Sequence, residues 1–106
     1  MKEKTANFKK TDHFLYRQWD RKIDDSLLEK ILNKINENIS SKTFVVVGNK
    51  LLKKFGLKVS SRTNLIIVVK KNILITLFMV EDLYSYLKSN RTCEFIIIND
   101  YNHISS

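Results

Sequence analysis

Apolar residues along this chain recur with two different periods, and each change of period marks an element. Leu27, Leu28, Ile31, Leu32 and Ile35 follow helical spacing. They predict an amphipathic helix capped by Asp24 or Asp25 and reaching Asn36 to Asn38. Ser26-Leu27-Leu28-Glu29 also fits a capping box at its start. A shorter helix is predicted before it, from Thr11 or Asp12 to about Arg21 or Lys22. Leu15, Trp19 and Ile23 stand four apart on it and form the stripe expected to be buried. From Thr43 the period shifts to that of strands. Thr43-Phe44-Val45-Val46-Val47 is a β-branched run. Residues 64–69 and 73–79 are two more strands, joined by Lys70-Lys71-Asn72 into an antiparallel hairpin that is apolar on both faces. Residues 50–61 read as mostly loop. Residues 81–89 read as a helix with Leu83, Tyr84 and Leu87 on its apolar side, and residues 93–98 as a fourth strand.

This order predicts an α+β fold. Two N-terminal helices pack on a four-stranded, mainly antiparallel sheet, and one helix lies between the third and fourth strands. The expected division is a flexible arm over 1–10, a single domain over 11–99 and a polar tail over 100–106. The sequence has no proline and two glycines, so its turns fall to Asn, Asp, Ser and Lys.

Charge sharpens the picture. Residues 42–71 carry eight Lys and Arg and no acid, while the flanking stretches nearly balance, so this block matches the whole +8 of the chain. One-signed blocks of this kind are the footprint of polyanion binders, and also the look of a lysine-rich soluble surface. Lys50, Lys53, Lys54, Lys58 and Arg62 are expected to line one nucleic-acid-binding surface. No apolar run is long enough to span a bilayer, so no membrane role is expected. The start, Met1-Lys2-Glu3-Lys4, lacks the apolar core of a signal peptide. The single cysteine, Cys93, rules out an internal disulfide and a cysteine-rich metal site.

The candidate chemistry lies on the first helix. His13, Arg17 and Arg21 are spaced by four, and each such step turns a side chain about 40° past a full turn, so they form one narrow stripe. It would place one proton-transfer group beside two planar cations. The structural alternative is that Arg17 and Arg21 pair with Asp20, Asp24 or Asp25 and tie the two helices together. By its apolar neighbours at four-residue spacing, Trp19 is expected in the core rather than as a base-stacking platform.

His13-x3-Arg17-x3-Arg21-x-Ile23, followed by a capped helix and the hairpin of Leu65–Val69 and Ile73–Leu77, resembles small bacterial domains of the barnase/EndoU/colicin/RelE-like ribonuclease toxin superfamily. The resemblance covers roughly residues 11–80. Residues 81–98 fall outside it, and Lys22 stands where the family has glycine. It implies a metal-independent endoribonuclease acting in the cytoplasm, with no cofactor, that cleaves RNA by transesterification. His13 would transfer the proton, Arg17 and Arg21 would clamp the phosphate, and Thr76 would position it. Tyr16, His103, Lys50 and Glu81 are candidates for a second acid or base. The implied partners are RNA and an acidic immunity or antitoxin protein, and the implied context extends to a piece of a larger secreted toxin. Two other classes compete: a nucleic-acid-binding module without catalysis, and a toxin-like fold that acts through an acidic protein partner.

Overall fold

Alternate residues of the central hairpin face two different sets of helices. The computed structural model describes residues 8–35 and 39–98. Its elements are β1 (Lys9–Lys10), α1 (Asp12–Asp20), α2 (Asp25–Leu32), β2 (Thr43–Val47), α3 (Asn49–Lys54), β3 (Asn64–Lys70), β4 (Ile73–Val80), α4 (Leu83–Ser89) and β5 (Glu94–Ile98). They form a five-stranded sheet in the order β1-β4-β3-β2-β5. Leu65, Ile67 and Val69 of β3 enter a core shared with Phe14 of α1, with Leu28, Ile31 and Leu32 of α2 and with Leu51 and Leu52 of α3. Ile66 and Val68 point the other way, into a smaller cluster covered by Leu83, Tyr86 and Leu87 of α4. A strand buried on both faces reads as a continuous apolar run, which is how Asn64-Leu65-Ile66-Ile67-Val68-Val69-Lys70 reads.

The α+β class and the central hairpin match the expectation, but the sheet is mixed and has five strands. β2, β3 and β4 form an antiparallel meander, whereas β5 runs parallel to β2, from Thr43↔Glu94 to Val47↔Ile98. Parallel neighbours need a long crossover. Here α4 supplies it, lying on the face away from α1, α2 and α3. Lys9 and Lys10, expected to belong to the arm, pair parallel with Ile73 and Leu74 as a fifth, two-residue strand. Residues 1–7, the end expected for the second helix at 36–38, and the tail lie outside the described residues.

Thr11 locks this edge. Its hydroxyl accepts from the Phe14 N–H at 3.0 Å, capping α1, and donates to the Ile75 carbonyl at 2.7 Å. Ile75 is the extra residue of a bulge, because Val68 pairs with Thr76 and Val69 with Leu74. A single side chain therefore fixes both the start of α1 and the kink of β4.

Two helix ends close with the same motif. At the end of α3 the Gly56 N–H bonds to the Lys53 carbonyl and the Leu57 N–H to the Leu52 carbonyl, both at 3.0 Å. Gly56 has φ +95°. This is a Schellman cap, and Leu52 and Leu57 supply its apolar contact. Residues 50–61 were expected to be mostly loop, so α3 is a correction. At six residues it is too short for periodicity to reveal, and Gly56 is its sequence signal.

At the end of α1 the Lys22 N–H bonds to the Trp19 carbonyl at 3.1 Å and the Ile23 N–H to the Gln18 carbonyl at 3.0 Å. Here the left-handed position, φ +58°, is held by Lys22. A side chain with a Cβ costs about 1 kcal/mol there. Lys22→Gly should therefore stabilise the fold and raise Tm by about 4–8 °C in thermal unfolding. An unchanged or lower Tm would show that Lys22 makes a compensating contact.

The same cap explains why the expected buried stripe of α1 is wrong. Ile23 lies beyond the helix, in the turn, and is buried from there. It therefore carries no information about which side of α1 faces inward. Phe14 and Gln18 face the core, while Leu15 is 47% exposed and Trp19 is 76% exposed.

Candidate nucleic-acid interface

α3 is built to display lysines. Leu51 and Leu52 are buried in the core, which leaves Lys50, Lys53 and Lys54 on the outward face at helical spacing. The chain then turns at Gly56 and returns toward the start of the helix, where the Asn49 side-chain amide donates to the Ser60 carbonyl. Lys58 and Arg62 are carried on this return loop, and all five cations are exposed.

The antiparallel pairing of β2 and β3 splits the acid-free block. Thr43↔Val69 brings Lys42, Lys70 and Lys71 to one end of the ladder. Val47↔Leu65 puts α3 and its loop at the other. The five predicted residues therefore share one end of the sheet. Arg62 differs from the rest of the set. The Ser85 backbone N–H, then the Ser85 hydroxyl, and then the Arg62 charge hold the Asp82 carboxyl below its usual range, so Arg62 is partly balanced by an acid.

Next to α3 stand two cations from outside the acid-free block, Lys30 on α2 and Lys22 at the end of α1. The Lys30 ammonium lies 5.7 Å from the centre of the Phe55 ring. Lys22, Lys30, Phe55, Gly56 and Leu57 are among the residues lining a hollow of ≈ 260 Å³ between the start of α2 and the end of α3. Because both lysines lie outside residues 42–71, charge counting along the chain does not reveal them.

The predicted catalytic residues are arranged differently. His13 and Arg21 are exposed and Arg17 is half-buried. The Arg21 Nε lies 3.9 Å from the Asp20 carboxylate. Thr76 pairs with Val68 and so projects from the sheet face that α4 covers, whereas α1 packs on the opposite face. The structure does not bring Thr76 to the α1 stripe. Of the candidates for a second acid or base, Tyr16, Lys50 and Glu81 are exposed, and His103 lies outside the described residues.

No known family model, curated protein or solved structure matches this chain.

The tie between the two N-terminal helices uses Asp25, one of the acids expected, but with Gln18 in place of Arg17 or Arg21. The Asp25 carboxylate accepts from the Lys10 ammonium at 2.6 Å and from the Gln18 amide at 2.8 Å. These hydrogen bonds, Lys10 first, hold its carboxyl below the usual range. The second face of the sheet is filled by aromatic packing. Tyr86 sits among Phe44, Phe78 and Phe95 with ring centres 5.8–6.4 Å apart, and burial pushes its hydroxyl pKa up. Among the described residues, no helix is long and apolar enough to cross a membrane.

Proposed function

We propose that this protein is a nucleic-acid-binding domain that holds single-stranded RNA by its phosphates and does not cut it. The observation behind this reading is that the α3 half of the acid-free block forms an exposed basic face at one end of the sheet. Lys50, Lys53 and Lys54 project from α3, Lys58 follows on the return loop, and Lys22 and Lys30 extend the face toward α2. Cations placed this way neutralise phosphates and release counterions, the sequence-independent part of nucleic-acid affinity. Binding is favoured over cleavage because His13 and Arg21 lie open to solvent and Thr76 is on the far side of the sheet. A phosphoryl transition state needs its acid, base and cations converging on one phosphate.

The test uses a labelled single-stranded RNA. Affinity should fall steeply and linearly on a log–log plot against salt, and the RNA should be recovered intact with or without chelator. His13→Ala should change neither result. Chelator-resistant cleavage that disappears in His13→Ala would replace this reading with the ribonuclease toxin. Absence of binding at low salt would remove nucleic acid altogether and leave an acidic protein as the partner for the basic face.

A further inference from the structure

Trp19 is the only tryptophan in the chain and is 76% exposed. Its companion Tyr16 is 59% exposed, with ring centres 6.2 Å apart. A large aromatic surface left in water has no packing role, and the side chain that holds α1 to the sheet is Phe14. Beside the indole lies a hollow of ≈ 570 Å³ lined by Gln18, Trp19, Asp20, Lys22, Ile23 and Asp24. Lys22 and Asp24 also line the smaller hollow that reaches Lys30, Phe55 and the end of α3. The two depressions therefore share Lys22 and Asp24, and the left-handed cap of α1 fixes the backbone at Lys22. Together they form a track with an aromatic end and a basic end.

We propose that the Trp19 hollow takes an unpaired nucleobase from the strand whose phosphates lie along α3. This inference rests on the nucleic-acid reading above. The base stacks on the indole, Lys22 meets the phosphate that leads away, and Lys30 and the α3 lysines take the phosphates beyond. A base suits the site because it is flat and apolar on its faces, and its backbone carries the charge that the neighbouring lysines match. Asp20 and Asp24 in its lining add acceptors for the amino edge of a base. A duplex cannot enter in this way, since its bases are already stacked and paired.

Because Trp19 is the only tryptophan, its emission reports on this hollow alone. The full chain is titrated with a labelled single-stranded oligoribonucleotide while anisotropy and tryptophan emission are followed together. Emission should be quenched in step with binding, and a duplex of equal length should bind without quenching. Trp19→Ala should weaken single-strand binding about five- to a hundredfold, leave the salt slope and Tm unchanged, and be largely rescued by Trp19→Phe. Binding with unaltered emission and an unaffected Trp19→Ala variant would overturn the base site while leaving the phosphate-binding face intact. Emission that changes with protein concentration before RNA is added would assign the hollow to a second copy of the chain and overturn the proposal. No binding at all would remove both this inference and the reading beneath it.

Discussion

Replacing Lys53, Lys54 and Lys58 together with glutamine should weaken single-stranded RNA binding about a hundredfold at 0.1 M salt. The figure follows from counterion release. Each phosphate contact on a single strand contributes about 0.7 to the log–log salt slope, so three lost contacts remove about two. Raised from 0.1 M to the 1 M standard, a slope change of two corresponds to about two decades of affinity. Glutamine retains helix propensity and is only one atom shorter than lysine, so α3 should survive and Tm should barely move. The loss should be equal for RNAs of different sequence, because phosphate contacts carry no sequence information. A salt slope that stays at the wild-type value would return these lysines to ordinary surface charge. In that case the proposed function would lose its main support.

Phe14→Ala should cost about 3–5 kcal/mol, whereas Trp19→Ala should lie within about 0.5 kcal/mol of wild type. The two residues are five apart on the same helix, and only their exposure separates them. Phe14 is fully buried in the core that joins α1 to β4 and β3, so truncating it leaves a cavity under the helix. Trp19 stands in water, and truncating it leaves none. Urea unfolding of both variants checks the pair. Equal destabilisation, or a larger loss for Trp19, would mean that the inward side of α1 carries Leu15 and Trp19 after all.

That contrast shows where the sequence is legible and where it is not. The β2, β3 and β4 strands stand out because β-branched runs fit a pleated, buried surface and almost nothing else. α2 stands out because five apolar residues keep helical phase over nine positions. α1 is visible as a helix, but its phase is not. Ile23, the third member of the apparent stripe, is buried by a turn rather than by the helix, and a left-handed lysine hides the helix end that a glycine would have announced. The partner of β5 could not be read either. A crossover helix can return its strand to either side of the meander, and local spacing does not encode the choice. The basic face was half legible. Lysines are almost never buried, so exposure was safe to infer. Their separation into two ends of the ladder depends on the register of β2 against β3, and Lys22 and Lys30 join them only through folding.

The parallel pairing of β2 with β5 has a consequence for the order in which the chain can be made. β2 meets the antiparallel hairpin soon after it emerges from the ribosome, but its other neighbour arrives about fifty residues later. Until then one edge of β2 has no partner strand, and Val46, Ile66 and Val68 lack the cover of α4 and β5. Closing so long a loop slows folding more than it weakens the folded state. During synthesis the nascent domain therefore passes through a stage with an open hydrophobic edge, the surface that strands of other chains and holding chaperones recognise.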